Sequence, residues 1–255
     1  MIHKTTRSIL SVLLAALLLV TSIPLTPAFA GDGGGVSPQS ESGEGRALKP
    51  VNGEYQIYTA DDLKEFAAIV NGTAEGIDQN TSANAKLMND IDLTSVCGEN
   101  IDGQSVSWTP IGSDSRRYSG TFNGAGHTIS GLYIDSSSAN DQGLFGFVGR
   151  SGKVQNLSVS GSVSGNNYVG GIVGYNNGGN VTGCTFSGSG SDSVGGVVGG
   201  NSGSNGVVEN CYNTGSVSGP DSGFFNAVGG VVGLNSSGDS SASASVTNCY
   251  NTGKV

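Results

Sequence analysis

A block of sequence recurs four times between residues 143 and 255, and this repeat constrains the fold more than any other feature of the chain. Each copy opens with two glycines that flank two apolar residues, and these openings begin at Gly143, Gly171, Gly196 and Gly230. The second halves, which run from a Val to a Leu or Cys, lie at 154–157, 181–184, 208–211 and 246–249. Repeats of about 25–35 residues indicate a solenoid, because each coil must present the same apolar face to the next coil.

The repeats contain short runs of Val and Ile separated by Gly, Asn and Ser, a composition that favours strands and turns over helices. The position before the Leu or Cys is always Asn or Gly: Asn156, Gly183, Asn210 and Asn248. These two residue types tolerate the left-handed backbone conformation. We therefore predict a corner at this position, which turns the preceding Val and the following Leu or Cys into the interior of the coil.

A second column of asparagines follows the glycine openings, at Asn176, Asn201 and Asn235, with Val148 at the same position of the first copy. Stacked Asn side chains can hydrogen-bond to one another along a ladder. Short parallel strands, corners and this ladder together predict an all-β fold, namely a right-handed parallel β-helix, or solenoid, with a short capping helix at its amino-terminal end.

The region before the repeats, residues 51–142, is predicted to contain the amino-terminal cap and the first coils. Thr59 and Asp62 have the spacing of a helix capping box, apolar residues follow at helical spacing, and Gly72 ends the segment. This helix would cover the apolar cross-section and the unpaired strand edge of the first coil. The segment 94–107 is polar, and we predict a loop there.

The glycine openings, together with the Val-Glu-Asn-Cys-Tyr-Asn-Thr-Gly-Ser-Val-Ser-Gly stretch at residues 208–219, resemble the GLUG repeat. The resemblance covers residues 117–134 and 143–255. This repeat occurs in secreted bacterial surface proteins and in the amino-terminal region of IgA-specific zinc metallopeptidases. The resemblance therefore implies a β-helical fold and a bacterial protein that is secreted or held at the cell surface.

The first 30 residues have the pattern of a secretory signal peptide. Two basic residues precede an apolar stretch, and Ala28-Phe29-Ala30 predicts cleavage after Ala30. The alternative is an uncleaved membrane anchor, but the apolar run from Ile9 to Val20 is short and is followed by Pro24 and Pro27. Residues 31–50 are rich in Gly, Ser, Glu and Pro, which predicts a disordered linker, and no later apolar run is long enough to span a membrane.

Four cysteines in an exported chain raise the question of disulfides. Cys184, Cys211 and Cys249 share one repeat position, so they would stack about 4.8 Å apart with parallel side chains that are poorly oriented for a bridge. We expect free, buried thiols that pack as small apolar groups, with a disulfide as the alternative. Cys97 has no evident partner.

The chain contains two histidines, His3 and His127, and it lacks the His-Glu-x-x-His motif that supplies zinc ligands in metallopeptidases. His127 is either a catalytic base or a turn or core-edge histidine typical of the repeat, and we favour the second interpretation. No Ser-His-Asp triad is predicted, because only His127 is available in the mature chain. We predict no catalytic residue, no metal site and no cofactor.

Enzymes that act on polysaccharides need clustered carboxylates, or carboxylates with Arg or Lys, on the outside of successive coils. Asp90 and Asp92 lie two positions apart on a predicted strand, and Arg116 lies in a later loop. These three residues are a candidate carbohydrate site, and the two carboxylates are a weaker candidate for calcium because no Gly-Gly-x-Gly-x-Asp repeat accompanies them. We favour a solvated strand edge and loop.

Insertions in a solenoid collect on one face, and that face often binds partners. The insertion at residues 220–227 carries Phe224 and Phe225, which are weak candidates for contact with a sugar or a protein. The alternative is that both rings fold back onto the coil. Tyr212 and Tyr250 share one repeat position and could stack on the outer face.

The sequence predicts a non-catalytic exported surface protein, either adhesin-like or a spacer and binding module. One alternative is the accessory amino-terminal region of a larger secreted metallopeptidase, and another is a carbohydrate-active β-helix enzyme. The formal net charge of −9 disfavours nucleic acid and anionic lipid as partners, so we expect an extracellular protein or glycan. Because the chain stops within the fourth repeat, we expect a longer parent protein.

Overall fold

The computed structural model describes residues 47–191, 194–219, 227–237 and 243–255. Over these residues the chain forms a parallel β-solenoid with one helix, as the repeat predicts. The predicted signal peptide with its cleavage position after Ala30, most of the predicted linker, and the insertion with Phe224 and Phe225 lie outside the described residues.

The helix spans Ala60–Asn71 and begins and ends at the predicted residues. The Thr59 side chain accepts a hydrogen bond from the Asp62 amide, the Asp62 carboxylate accepts from the Thr59 amide, and Gly72 closes the helix with a φ of 68°. Phe66 lies on its buried face and packs against Tyr118 and Phe122 of the coil below. The helix therefore covers the apolar interior at this end of the solenoid.

Three parallel sheets run along the solenoid. The first sheet contains seven strands in stacking order: Glu54–Ile57, Asn84–Leu87, Thr121–Asn123, Lys153–Gln155, Asn180–Thr182, Val207–Glu209 and Ser245–Thr247. Its register places the Val of each repeat directly over the Val of the next, so Val154, Val181, Val208 and Val246 form one column.

The second sheet contains eight strands: Ile91–Asp92, Thr128–Asp135, Ser158–Ser164, Thr185–Phe186, Ser189–Ser191, Tyr212–Asn213, Ser216–Ser218 and Tyr250–Asn251. The third sheet contains Phe145–Val148, Val173–Asn177, Val198–Ser202 and Val232–Asn235. A short parallel pair, Val169–Gly170 with Val194–Gly195, forms a further corner. All of these pairings are parallel, so each coil rests on the equivalent strands of its neighbour.

The segment at residues 94–107 differs from the predicted loop, because it contains an antiparallel hairpin of Gly98–Ile101 and Gln104–Val106. Asp102 and Gly103 form its turn with φ values of 51° and 83°. Positive φ at both central residues is the hallmark of the tight turn that Asp-Gly favours. The Asp-Gly pair is therefore a signal for the hairpin in the sequence, although the polar composition of the segment suggests a loop.

The predicted corners are confirmed. The backbone is left-handed at all four positions, with φ values of 53° at Asn156, 61° at Gly183, 54° at Asn210 and 52° at Asn248. The following Leu or Cys turns into the interior, where Leu157, Cys184 and Cys211 are at most 1% exposed. The residue type at this one position thus determines where each coil bends.

The glycine openings are required by close packing between chain segments. A Cβ atom at Gly171 would lie 2.1 Å from the Phe186 ring, which projects into the same interior space from the second sheet. A Cβ atom at Gly174 would lie 2.4 Å from the carbonyl carbon of Asp141 in the preceding coil. Any larger residue at either position would have to displace a neighbouring chain segment.

The predicted asparagine ladder is also confirmed. The side-chain nitrogen of Asn176 donates to the side-chain oxygen of Asn201, and Asn201 donates in turn to Asn235, both at 2.8 Å. A second ladder, which the repeat pattern did not predict, joins Asn213 to Asn251 at 2.8 Å. Asn176, Asn201 and Asn213 are fully buried, so these ladders satisfy polar groups inside the solenoid.

Candidate binding surface

The predicted base candidate, His127, lies beside Asp90. Its Nδ1 atom is 3.1 Å from the Asp90 carboxylate, which also accepts a hydrogen bond of 2.9 Å from the Thr128 amide. These contacts, first the amide and then His127, lower the pKa of Asp90. The arrangement joins the start of one strand to the turn before its neighbour, and both side chains lie at the surface.

The other two members of the candidate carbohydrate site do not join this pair. Asp92 accepts a hydrogen bond of 3.0 Å from the Thr94 amide, which closes a local turn and lowers the pKa of Asp92. Arg116 lies in the tight turn between Ser113 and the next strand, and among the described residues it forms no ion pair. The structure therefore brings Asp90 to His127 rather than Asp90, Asp92 and Arg116 to one another.

The part of the chain that the structure describes contains no assembled set of metal ligands. No three His, Cys, Asp or Glu side chains come together there in a way that could hold a metal ion. The predicted interpretation of Asp90 and Asp92 as a calcium site gains no support, because each carboxylate is bound to a backbone amide instead.

The four cysteines are free thiols. Cys184 and Cys211 are fully buried and Cys249, in the last coil, is half-buried, while Cys97 lies in the core near the other end of the solenoid. Each stacked thiol contacts the carbonyl of the Val in the coil above, as in the 3.5 Å contact of Cys211 with Val181. Burial raises the pKa of the Cys97 and Cys249 thiols. Cys184 and Cys211 are therefore small core residues, as predicted, whereas Cys249 is only partly covered.

The predicted tyrosine stack is present on the outer face of the second sheet. The rings of Tyr212 and Tyr250 are parallel, with an angle of 1° between their planes and 5.1 Å between their centroids. The Tyr250 side chain is 56% exposed because no described coil lies beyond it. Thr185 occupies the same column in the coil above, so the stack contains two rings in the described chain.

A second group of aromatic rings lies on the outer face of the third sheet, and the repeat pattern gave no sign of it. The Phe147 and Tyr175 rings occupy the same column in successive coils, with their centroids 5.1 Å apart. Tyr168, at the preceding corner, contacts Tyr175 with a centroid separation of 4.7 Å. Gly200 follows Tyr175 in the column, and the two tyrosine rings lie over it.

Charged residues lie near these rings. The Arg117 guanidinium lies 4.8 Å from the centroid of the Phe147 ring and donates to the Asp114 carboxylate at 2.6 Å. The half-buried carboxyl group of Asp141 lies near Tyr168, and it helps to raise the pKa of that tyrosine after burial and the neighbouring Tyr175. Burial, and then repulsion from Asp114, raises the pKa of Asp141 to about 6. We call this group, comprising Asp114, Arg117, Asp141, Phe147, Tyr168 and Tyr175, the outer patch.

Comparison with known families identifies the repeats. The family model described as "The GLUG motif" matches residues 165–189, 190–218 and 226–255. The first copy of the repeat, which begins at Gly143, lies outside these matches, but it stacks on the next copy in the same register.

Two curated proteins share part of the repeat region. One, named "Putative Gly-rich membrane protein", from Evansella cellulosilytica, is 41% identical over 76 residues, which are 30% of this chain and 8% of that protein. The other is halomucin from Haloquadratum walsbyi, 38% identical over 111 residues, which are 43% of this chain and 1% of that protein. The chain thus spans only a small part of the length of these relatives.

Among the described residues, no helix is both long and apolar enough to cross a membrane.

A solved structure is also similar. It is the crystal structure of a "putative immunoglobulin A1 protease" from Bacteroides ovatus, which is 19% identical, with a TM-score of 0.48 over 78% of this chain and 75% of that chain.

The family match is specific to the repeats, and it agrees with their observed stacking into coils. Residues 165–189, 190–218 and 226–255 are therefore three consecutive GLUG motifs of a parallel β-solenoid.

Proposed function

We propose that this chain is a non-catalytic, exported module of a bacterial surface protein, which acts as a spacer and a binding surface. The observation that carries the proposal is the stacking of consecutive GLUG motifs in one register, with the equivalent Val and Asn residues in columns. Each further motif adds one coil, so a solenoid of this kind lengthens by about 4.8 Å per coil without a change in its cross-section. That property suits a spacer.

Three further observations support a place outside the cell. The first 30 residues have the pattern of a signal peptide. Relatives of the repeat region bear the names of a Gly-rich membrane protein and of halomucin. The net charge of −9 suits a soluble surface that does not attract nucleic acid or anionic lipid.

The non-catalytic part of the proposal rests on how the candidate residues are used. Asp90 and Asp92 each accept a hydrogen bond from a backbone amide, and both belong to local turns or strand starts. Lowered pKa values keep these carboxylates ionised, which suits a structural hydrogen-bond acceptor and not a general acid.

The test is to express the chain with a carboxyl-terminal epitope tag in a bacterial host and to treat intact cells with protease. The proposal predicts that the tagged protein lies on the cells or in the medium, is degraded by the added protease, and begins at Gly31 by amino-terminal sequencing. A variant that lacks residues 1–30 is the matched control and should stay protected inside the cell. Protection of the full chain inside intact cells would contradict the proposal.

A further inference from the structure

The outer patch is assembled from three successive coils at equivalent positions. Asp141 and Tyr168 stand directly before Gln142 and Val169, which pair with each other at the corner between two coils. The Asp141 amide donates to the Asn167 carbonyl at 2.8 Å, which holds the two corners together. Phe147 and Tyr175 form the neighbouring column on the third sheet. The patch thus has a fixed geometry, set by the stacking of the coils.

The position of Tyr168 depends on an unusual backbone conformation. Its φ is 56°, in the left-handed region that aromatic residues rarely adopt. Asp141 has the same conformation at the equivalent corner of the preceding coil, with a φ of 55°. Asp is among the residue types that tolerate it, whereas Tyr is not, so the corner itself gives no reason for a tyrosine. Strained residues persist where a surrounding structure holds them, and they concentrate at functional sites.

Gly200 leaves space for the two tyrosine rings. A Cβ atom at this position would lie 2.7 Å from Tyr168 and 2.7 Å from Tyr175. The two tyrosine rings therefore pack against the backbone of Gly200 in the next coil. Each ring remains half-buried, with part of its surface in contact with solvent. A positive φ in one coil and a glycine in another together produce this aromatic surface.

The Asp141 carboxylate lacks a hydrogen-bond donor among the described residues, although it is half-buried beside the rings. Its oxygens are therefore available to accept hydrogen bonds from water or from a ligand. The Arg117 guanidinium is 51% exposed and keeps N–H groups that its two contacts with Asp114 do not use. The patch therefore offers an acceptor, a donor and aromatic faces.

The charges of the patch select among ligands. Arg117 is paired with Asp114 at 2.6 Å, so Asp141 and the net charge of −9 determine the sign of the field at the patch, which would repel an anion. A neutral ligand with an apolar face for the rings, and with hydroxyl groups that both donate and accept, matches the groups that the patch presents. From this geometry we infer that the outer patch binds a neutral carbohydrate, with a sugar ring on Tyr168 and Tyr175 and its hydroxyl groups on Asp141 and Arg117. This inference names the ligand of the binding surface in the proposed function and rests on that proposal.

Isothermal titration calorimetry with defined hexasaccharides tests the inference. The probes are the neutral hexasaccharides of cellulose, mannan and chitin, with those of chitosan as the cationic probe and polygalacturonate as the anionic probe. The full chain is purified from lysed cells, so the result does not depend on export. We expect at least one neutral probe to bind and the anionic probe to bind more weakly than it does.

Three variants connect binding to the patch. Tyr168→Asn removes the ring and places a residue at this corner that tolerates positive φ, so the fold should be retained. We expect Tyr168→Asn and Tyr175→Ala each to weaken binding by about tenfold, the size of effect typical of losing one stacked aromatic ring. Tyr250→Ala, which removes an exposed tyrosine outside the patch, is the matched control and should bind like the unmodified chain.

Failure of every neutral probe to bind, preference for a charged probe, or undiminished binding by folded Tyr168→Asn and Tyr175→Ala would each overturn the inference. Circular dichroism of every variant shows whether it is folded. None of these results bears on where the protein resides, which the protease test on intact cells decides separately.

Discussion

The side-chain nitrogen of Asn176 lies 2.8 Å from the side-chain oxygen of Asn201, one coil further along the solenoid, and both residues are completely buried. Asn176 and Asn201 also pair in the backbone register of the third sheet. One hydrogen bond thus joins two equivalent positions of the repeat in the interior. Such a bond specifies register, because a shift by one residue would leave both amides buried without partners.

We predict that Asn201→Ala destabilises the solenoid by about 1–3 kcal/mol, the usual cost of leaving buried polar groups without partners. The Asn201 side chain accepts from Asn176 and donates to Asn235 and to the Gly206 carbonyl. Urea denaturation followed by circular dichroism measures the change. The matched control is Asn235→Ala at the exposed end of the ladder, where water can replace the lost bonds. An equal loss of stability in the two variants would contradict a buried ladder.

We predict that Gly171→Ala destabilises the protein by about 1–3 kcal/mol, because the added methyl group overfills a packed interior. The new Cβ would lie 2.1 Å from the Phe186 ring. Replacing Phe186 with Leu should recover part of this loss, so the two substitutions should be non-additive in a double-mutant cycle. At Gly98 a Cβ would meet only the end of the Ile101 side chain, at 3.4 Å, so Gly98→Ala is the control and should change stability little. Strictly additive effects at 171 and 186 would count against the contact.

We predict that the four cysteines react with a thiol reagent in two classes. Cys249 is half-buried in the last described coil, so it should react first in the folded protein. Cys97, Cys184 and Cys211 are buried and should react only after unfolding in guanidinium chloride. Mass spectrometry of the labelled protein identifies the order. Fewer than four reactive thiols in the unfolded, unreduced protein would mean that a disulfide forms, against the structure.

We predict that the Asp141 carboxyl group titrates near pH 6, because burial and the neighbouring Asp114 raise its pKa from the usual 3.8 to about 6. A pKa raised by folding means that the folded state binds the proton more tightly. The stabilisation by protonation is therefore complete below about pH 4 and is lost as pH rises through about 6. Carbon-13 NMR of the carboxyl groups measures the midpoint directly.

Two variants check the cause of this shift. Asp114→Asn should move the Asp141 midpoint to lower pH, since it removes the neighbouring negative charge. Asp141→Asn should raise stability relative to the unmodified chain more at about pH 7 than at about pH 4, because the Asn side chain carries no charge to desolvate. An Asp141 midpoint near its usual value would show that the carboxyl group is well solvated.

The sequence was sufficient to predict the coil because single residues determine its key features. The backbone is left-handed at Asn156 and its equivalents, and only Gly and a few other residue types adopt this conformation readily. Thr59, Asp62 and Gly72 likewise fixed both ends of the helix through local hydrogen bonds and a positive φ. These features are local, so they are visible without knowledge of which coils touch.

The second asparagine ladder and the outer patch depend on contacts between coils. Asn213 and Asn251 share a column with Phe186, and the Phe in the earlier coil conceals the polar repeat. The patch joins Arg117, Phe147, Tyr168 and Tyr175, which lie in coils of unequal length. Their alignment follows from the stacking register, which variable loops obscure in the sequence.

The in-register stacking of the coils underlies both the ladders and the outer patch, and nuclear Overhauser effects between valine methyl groups test it most directly. Val154, Val181 and Val208 occupy one buried column, with neighbours about 4.8 Å apart along the solenoid. We predict cross-peaks between Val154 and Val181 and between Val181 and Val208, with none between Val154 and Val208. Absence of the two neighbouring cross-peaks, or their replacement by contacts to residues one or two positions away, would contradict the stacked GLUG solenoid.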